Sequence, residues 1–183
     1  MKARDLTFAP VDDGSCIRRK IQEIHYSKKC PPATFYFGVY FCGELIGGMT
    51  FRRPSLPKIQ KCYGTDLELN RLAIIDAAGK NSESRFIGYC LRWLAKHTDH
   101  KCVISYADPH HGHQGKIYAA SNFRYFGLEN GHGTRLLNVN GELMQAKTAY
   151  DRYGASGKNL EKNTRCIGNG HRHAAQTCVD LPT

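Results

Sequence analysis

The chain has 183 residues, 41% of them hydrophobic, and a mean hydropathy of −0.49. This composition excludes a largely disordered chain and fits one domain with a sizeable core. No apolar run approaches the roughly 20 residues that a membrane helix needs, and the N-terminus has no apolar signal-peptide region. We therefore expect a soluble, cytoplasmic protein.

The charge is strongly positive and unevenly spread along the sequence. Lys and Arg outnumber Asp and Glu by 26 to 16, which gives a formal net charge of +10. Residues 1–65 carry an excess of +6, residues 66–143 of +1 and residues 144–183 of +3. The pattern predicts a nearly neutral centre with basic margins that bind an anionic partner. A solvated surface with scattered charge is the alternative.

The first half of the chain predicts a hairpin, a basic loop and a central strand. Two aromatic and β-branched runs, 35–41 and 45–51, are separated by a three-residue turn, 42–44, as in a β-hairpin. Residues 52–58 (RRPSLPK) contain two prolines and several cations, so we expect a basic loop. Residues 67–75 (LELNRLAII) have apolar side chains on both faces, which indicates a central strand.

The clearest helix follows that strand. It begins with Asn81 or Ser82 as N-cap and runs to about His97. Its apolar positions, which share one face, are Phe86, Ile87, Cys90, Leu91 and Leu94. A second strand at 102–107 and a short helix at 116–122 come next.

These elements predict an α/β (α+β) fold in which helices flank a mixed central sheet. Residues 134–145 form a second hairpin around an Asn-Gly turn. Beyond about residue 154 the sequence is polar and weakly patterned. We expect a catalytic domain over 1–155 and a basic tail over 156–183 that is irregular or partly disordered.

Eight cysteines suggest reduced thiols rather than a disulfide scaffold. Cys42, Cys90 and Cys102 lie in apolar runs, where a free cysteine acts as a small hydrophobe, and no CxxC pair occurs. The tail carries a symmetric C-x4-H-x-H-x4-C arrangement that could hold a metal or simply belong to a flexible tail. Its members are Cys166, His171, His173 and Cys178.

The turn before the long helix is placed to hold a phosphate. Residues 79–85 (GKNSESR) join a strand to a helix N-terminus, where main-chain N–H groups and the helix dipole attract anions. The Ser84 hydroxyl, with Lys80 and Arg85, would contact a pyrophosphate there. A simple helix cap explains the same residues, so both interpretations stand.

Several uncommon sequence motifs, which follow one another in a fixed order, resemble those of known families. LELNRLAII, GKNSESRFIGYCLRWLAKH, CVISYADP and GKIYAASNFRYFGL resemble the core of the GNAT acyltransferase superfamily. More closely, SYADP, GHQGKIY and ASNFRYFG resemble the phage Mom DNA-modification family, with the similarity covering about 25–155. The Q/R-x-x-G-x-G/A phosphate loop of ordinary GNAT enzymes is missing. Ser82, Ser84 and Arg85 are its local substitutes.

The Mom resemblance implies a GNAT-like transferase that modifies the exocyclic amine of adenine in double-stranded DNA. The product carries a carbamoylmethyl (acetamido) group and protects bacteriophage DNA from host restriction. The family implies acetyl-CoA or a related acyl donor, the cytoplasm of the host bacterium as the setting, and compatibility with a homodimer. Plain acetyl transfer cannot form a bond to a methylene carbon, so an additional activating step is required.

Three residues are assigned chemical roles on this basis. Asp108 is the candidate base that helps to remove a proton from adenine N6, or it caps the following turn. Tyr118 resembles the GNAT tyrosine that protonates the leaving thiolate, or it is a core aromatic. Arg71 binds a donor phosphate or carboxylate, or forms a structural ion pair with Asp76 or Glu68.

Further candidates concern base stacking, metal and DNA. Tyr36, Tyr106 and Phe123 could stack against a flipped base, and each could instead belong to the core. A divalent metal such as iron would be held near Asp108. Its candidate ligands are His110, His111 and His113, with His25 from afar. The catalytic set is Asp108, Tyr118, Tyr36 and Ser105; the donor set is Arg71, Ser82, Ser84, Arg85 and Lys80; the DNA set is Arg52, Arg53, Lys58 and Lys61.

Two other functions compete with DNA modification. An ordinary GNAT N-acetyltransferase would act on a small amine or a protein, and a basic nucleic-acid-binding protein would have no catalysis. A polyamine site should carry acidic residues, whereas the flanks here are basic, which favours DNA. The ordered strand, turn and helix motifs favour an enzyme over a pure binder.

Overall fold

The computed structural model describes residues 2–54, 67–107, 113–130, 136–139, 142–145, 152 and 173–181. The chain forms two compact units. One contains Met1–Ala107, Gly115–Gly127 and Gln176–Thr183, and the other contains Asp108–Gln114 and Leu128–Ala175. All residues of the site described below belong to the first unit.

The described elements comprise nine strands, three α-helices and two short 3-10 turns. The helices are α1 (Ser15–Ile24), α2 (Ser82–His97) and α3 (Lys116–Ala119), and the 3-10 turns are Ala3–Asp5 and Asp76–Ala78. The strands are β1 (Thr7–Pro10), β2 (Phe35–Phe41), β3 (Glu44–Arg52), β4 (Leu67–Ile74), β5 (Cys102–Ala107), β6 (Arg124–Asn130), β7 (Leu136–Val139), β8 (Glu142–Gln145) and β9 (His173–Asp180).

The main sheet is mixed, as predicted. Its seven strands follow the order β1-β2-β3-β4-β5-β9-β6. Strands β1 to β4 pair in antiparallel fashion, whereas β4 and β5 are parallel and are joined through α2. The predicted central position of residues 67–75 is confirmed, because β4 lies between β3 and β5.

Both predicted hairpins are present. In the β2–β3 turn, Cys42 and Gly43 have φ angles of 49° and 84°. Positive φ at both central residues gives the turn twist that matches paired strands. Strands β7 and β8 form a separate ladder that closes with Val139 opposite Glu142.

Helix α2 provides much of the core on one side of the sheet. All five of its predicted apolar positions are buried, and Phe86 stacks on Phe8 with ring centroids 5.0 Å apart. Trp93 of α2 packs edge-on against Phe37 at 5.3 Å. The sequence pattern therefore predicted both the bounds and the buried face of this helix.

Helix α1 was not predicted, although it packs closely on β3. Its inward residues, Ile17 and Ile21, are fully buried. Gly48 of β3 makes the close approach possible, because a Cβ there would lie 2.5 Å from Ile17 Cγ2. Ile17, Ile21 and Ile24 recur at helical spacing and face the same cluster, so the sequence does carry an amphipathic signal for this helix.

Two expectations about these elements need correction. Residues 173–180 form a strand instead of an irregular tail, because pairing within the main sheet orders a segment whose local pattern is weak. Helix α3 ends at Ala119 rather than near 122, where Asn122 has a φ of 62° that interrupts the helix. The remaining residues of the tail lie outside the described ranges, and the division at 155 stays a prediction.

The cysteine interpretation also changes. Cys102 takes part in a disulfide bond, so the expectation of reduced thiols is wrong there. An apolar site at the start of a strand accommodates a disulfide sulfur as well as a thiol. Cys42 lies exposed in the hairpin turn instead of acting as a core residue, whereas Cys90 is a free buried thiol as expected. None of the described helices has the length and apolarity needed to cross a bilayer.

Candidate active site

The candidate site begins where β4 and β5 part. The two strands pair at Leu67 with Val103, at Glu68 with Ile104 and at Leu69 with Ser105. Both strands continue beyond the last pair without further pairing between them, to Ile74 and Ala107. A β-bulge opposite Thr50 and Phe51 distorts β4 at the same level. The bulge and the splay together open the sheet beside Asn70 and Arg71.

A hydrogen-bonded chain reaches into this opening from α3. Ser105 is fully buried and its hydroxyl donates to the carbonyl oxygen of Leu69 at 3.3 Å. Tyr118, 8% exposed, is hydrogen-bonded to Ser105. The Ser105 hydroxyl therefore lies between the Leu69 carbonyl oxygen and the Tyr118 phenol. Two residues of the predicted catalytic set are thus in direct contact.

Burial keeps the phenol protonated. It raises the pKa of Tyr118 above its ordinary value, while the Ser105 contact and the Arg71 charge act in the opposite direction. A neutral phenol at physiological pH is able to donate a proton. This protonation state fits the role predicted for Tyr118.

Arg71 lies half-buried next to the opening. Its Nε donates to the carbonyl oxygen of Lys29 at 3.0 Å, and its Nη1 donates to the Asn70 carbonyl oxygen at 2.7 Å and to Asn70 Oδ1 at 3.3 Å. Among the described residues, Glu68 pairs with Arg52 instead. Among the described residues Arg71 therefore forms neither of the predicted alternative ion pairs, with Asp76 or with Glu68, although the Glu68 charge acts on it from a distance and favours its cationic form.

The acceptors that Arg71 finds in the described chain are uncharged oxygens. Burial lowers the pKa of Arg71 below its ordinary value, and the guanidinium is cationic in any case. A half-buried cation without a carboxylate partner among the described residues favours an anion or a developing negative charge nearby. Arg71 and Tyr118 interact electrostatically with each other and with Tyr26, which brings the three groups into one site.

The segment after α1 covers part of the site. Tyr26 is 45% exposed and stacks on His25 with ring centroids 4.2 Å apart. His25 Nδ1 lies 2.9 Å from the Ser27 hydroxyl and accepts from the Ser27 N–H. The carbonyl oxygens that anchor Arg71 and Arg18 come from Lys29 and from the next residue, so two cations hold this segment in place.

Cys30 is a buried thiol beside the same cations. Burial raises its pKa, while the charges of Arg71 and Arg18 and a contact with the Thr50 hydroxyl act against that rise. Cys30 is 3% exposed and belongs to a cluster with Ile17 and Ile21. The thiol therefore packs the site from the α1 side.

The turn before α2 has the features of an anion site. Gly79 and Asn81 have positive φ angles of 83° and 65°, and Asn81 makes no side-chain cap bond. The first N–H groups of a helix have no intrahelical acceptor, so they are oriented toward a ligand. Lys80 and Arg85 are both exposed next to them.

The two serines of the turn have different positions. Ser82 is buried and donates to the carbonyl oxygens of Ala78 and Gly79 at 2.6 and 2.9 Å, so it holds the turn. Ser84 is half-buried and donates to the Asn81 carbonyl oxygen at 3.2 Å, with its lone pairs left for a ligand. The structure thus fits a pyrophosphate donor, with Ser82 supporting the turn and Ser84 at its surface.

Two of the proposed stacking residues, Tyr36 and Phe123, make packing contacts within the fold. The Tyr36 ring lies against Gly14, where a Cβ would collide with it, and its hydroxyl accepts the Ala33 N–H at 2.7 Å. Phe123 is 7% exposed and packs on Tyr118 at 5.3 Å. Tyr106 is half-buried on β5. Tyr36 is partly buried at the edge of the α1 cluster, and its predicted contact with a flipped base stays a prediction.

The predicted metal and DNA residues are only partly within the described chain. Asp108, His110, His111, Lys58 and Lys61 lie outside it. Among the described residues no group of three His, Cys, Asp or Glu side chains could hold a metal ion. His113 is exposed, and the metal stays a prediction. Arg53 is exposed, whereas Arg52 Nη2 pairs with Glu68 Oε1 at 3.3 Å.

Sequence reasoning missed several residues of the site, namely Tyr26, Cys30, Thr50 and Asn70. Asn70 offered a signal, since it is a polar residue next to Arg71 in an otherwise apolar strand. The others come from separate elements, and only the tertiary fold brings them to Arg71.

Comparisons with known proteins agree with this geometry. Residues 5–177 match the Mom protein family. A curated relative, "Methylcarbamoylase mom" of Escherichia phage Mu, is 31% identical over 159 residues. The alignment covers 80% of this chain and 64% of the relative, so the chain spans less than two thirds of that protein's length.

Solved structures show the same fold at low sequence identity. A GNAT family acetyltransferase from Elizabethkingia anophelis with acetyl-CoA bound has a TM-score of 0.55 at 12% identity, covering 97% of this chain and 99% of its own. A Bacillus subtilis acetyltransferase in complex with CoA has a TM-score of 0.56 at 11% identity, with the same coverage. An IAA acetyltransferase from Bacillus cereus has a TM-score of 0.57 at 11% identity, covering 96% and 99%. The predicted GNAT-like fold is confirmed.

Proposed function

The chain belongs to the Mom protein family, and we propose that it transfers a carbamoylmethyl (acetamido) group to the exocyclic amine of adenine in double-stranded DNA. The observation that carries the proposal is the buried Tyr118–Ser105 pair at the splay between β4 and β5, with Arg71 in electrostatic contact. It supplies a proton donor and a cation at one opening of a GNAT fold.

The donor is an acyl-CoA or a related compound. Its pyrophosphate would lie at the N-terminus of α2, on the first-turn N–H groups, Ser84 and the side chains of Lys80 and Arg85. Its linear part would extend from there into the splay, toward Arg71. Ser82 holds the turn from inside.

The reaction replaces one hydrogen of the adenine amine. The donor would have to carry the CH2–CO–NH2 unit on a leaving group, and the bond between the methylene carbon and that leaving group breaks as the amine nitrogen bonds to the same carbon. The nitrogen loses one proton, and adenosine becomes larger by C2H3NO. A plain acetyl-CoA holds no such unit, so the donor is an activated one. Adenine N6 is conjugated with the ring and is a weak nucleophile, so a base must take that proton; Asp108 is the candidate. Tyr118 would donate a proton to the leaving group, and Arg71 would stabilise negative charge that develops beside it.

DNA binding is assigned to the basic segment between β3 and β4. Arg52, Arg53, Lys58 and Lys61 would contact phosphates without reading bases, because Lys and Arg side chains act as positive charges along the DNA backbone. The exposed Arg53 fits this role, while the Glu68 pair makes Arg52 a support at the base of the segment. Replacing all four by Ser should lower affinity and flatten its salt dependence without changing the preferred sequence.

The test is mass spectrometry of nucleosides from plasmid DNA in cells that express the protein. An adenosine that gains C2H3NO supports the proposal, and the Tyr118→Phe variant should lose that product. Unmodified DNA together with an acetylated small amine would instead identify an ordinary N-acetyltransferase. Unmodified DNA that still binds the protein would leave only a nucleic-acid-binding role.

A further inference from the structure

Asn70 holds a buried side-chain donor that no residue in the described part of the chain accepts. The residue is 8% exposed, and its Nδ2 has no hydrogen-bond partner among the described residues. A buried N–H group without an acceptor costs stability, so such groups are rare unless a ligand completes them. The position therefore points to a ligand acceptor.

The orientation of this amide is fixed by its neighbour. Arg71 Nη1 lies 3.3 Å from Asn70 Oδ1. A guanidinium can only donate, so the atom that faces it is the oxygen and the NH2 group points to the other side. Nδ2 is thereby held as a donor, and Oδ1 keeps one lone pair for a second bond.

Asn70 is also the first residue of β4 beyond the last pair with β5. The preceding residue, Leu69, supplies the carbonyl oxygen that anchors Ser105 and, through it, Tyr118. The following residue is Arg71. Asn70 thus lies on β4 between the residue that anchors Ser105 and the cation of the candidate active site.

We infer that Asn70 is a specificity-determining residue that recognises the carboxamide end of the transferred carbamoylmethyl unit. Asn70 Nδ2 donates to the carbonyl oxygen of that unit, and Asn70 Oδ1 accepts an N–H from its NH2 group. Two carboxamides are complementary in this way, whereas an acetyl methyl offers no donor and a carboxylate would place an oxygen against Oδ1. The inference rests on the proposed function for the identity of the transferred group.

The test uses S-carbamoylmethyl-CoA, which carries the carboxamide on the CoA sulfur, with free CoA as the reference. Calorimetry gives the ratio of the two dissociation constants for each protein. In the wild type this ratio should favour the carboxamide compound, and in Asn70→Asp the preference should fall by about tenfold or more, because the donor becomes a charged acceptor. Asn70→Gln, which keeps the amide, should recover part of the preference.

Two controls separate recognition from structure. Gln22→Glu makes the same amide-to-carboxylate change at an exposed position of α1 and should leave the ratio unchanged. Affinity for free CoA and the melting temperature report on the integrity of the donor site in each variant. If Asn70→Asp does not fold, Asn70→Ser removes the amide without adding a charge.

The outcomes distinguish the two claims. The inference is overturned if the ratio of dissociation constants in Asn70→Asp, or in Asn70→Ser where Asn70→Asp does not fold, equals that of the wild type. It is also overturned if the wild type binds neither CoA compound. If plasmid adenosine gains C2H3NO in expressing cells although the ratio does not depend on Asn70, the proposed function stands and only the role of Asn70 is withdrawn. If the ratio depends on Asn70 while DNA from expressing cells remains unmodified, carboxamide recognition holds and the proposed DNA reaction fails.

Discussion

The Tyr118–Ser105 pair makes a prediction that separates stability from chemistry. Tyr118→Phe removes one buried hydrogen bond and keeps the ring that packs on Phe123. The cost should be about 1 kcal/mol, which lowers the melting temperature by about 2–4 °C in a chain of this length. The fold and the donor turn should otherwise be retained.

Ser105→Ala should cost more than Tyr118→Phe. It removes the bond to the Leu69 carbonyl oxygen and leaves the buried phenol without its hydrogen-bond partner, a penalty of about 1–3 kcal/mol. The double variant has no such phenol. Its destabilisation should therefore be smaller than the sum of the single effects, by an amount between about 0.5 and 3 kcal/mol.

Activity should follow a different order. A phenol that protonates the leaving group contributes about a hundredfold to ten-thousandfold, so Tyr118→Phe should lose that much modification, and Ser105→Ala, which retains the phenol, should lose less. The assay is the early rate at which plasmid adenosine gains C2H3NO, normalised to folded protein. A Tyr118→Phe variant with the wild-type rate would remove Tyr118 from the mechanism, and strictly additive stability effects would show that the pair is not coupled.

Other predictions concern DNA, donor and pH. Arg53→Ser should flatten the slope of log affinity against log salt concentration by about 0.9, which binding across a salt series measures. Arg52→Ser should mainly lower the melting temperature, because Glu68 loses its partner, and a thermal scan of the variant measures that. Ser84→Ala should weaken acetyl-CoA binding in calorimetry at unchanged melting temperature, while Ser82→Ala should lower both. Burial raises the pKa of Cys90 well above its ordinary value, so above about pH 8.5 the thiol ionises more readily in the unfolded chain. Stability should fall there as pH rises, and Cys90→Ala should reduce that fall in melting scans across pH.

The sequence predicted those elements whose patterns are local. Helix α2 has five apolar residues at helical spacing, and the β2–β3 hairpin has a turn that tolerates positive φ. Helix α1 also carries a local pattern, since Ile17, Ile21 and Ile24 recur at helical spacing, although it was not predicted. By contrast, β9 is defined by the strands that it pairs with, and its own residues carry little pattern. Local pattern is sufficient for the first three elements and insufficient for β9.

The site shows the same limit. Arg71 and Tyr118 could be proposed from the sequence because they lie in motifs that resemble those of a known family. The hydrogen-bond partners of Arg71 could not be proposed in this way. Its nearest acceptor outside β4 is the carbonyl oxygen of Lys29, which is 42 positions away in the sequence. The orientation of Asn70 depends on that arrangement. Main-chain acceptors have no sequence signature, so this part of the site required the fold.

The parting of β4 and β5 beyond Leu69 gives the main sheet an unpaired strand edge in its interior. Beyond Leu69, β4 presents main-chain groups that β5 does not pair with, much as an outer strand presents them to solvent. Such an edge accepts one extended chain, which completes the ladder, and it is far too narrow for a duplex. A linear donor can therefore thread between the strands while nucleic acid stays outside the sheet. The two substrates would approach the same atoms along separate routes, so both can be bound at once and neither has to leave before the other arrives.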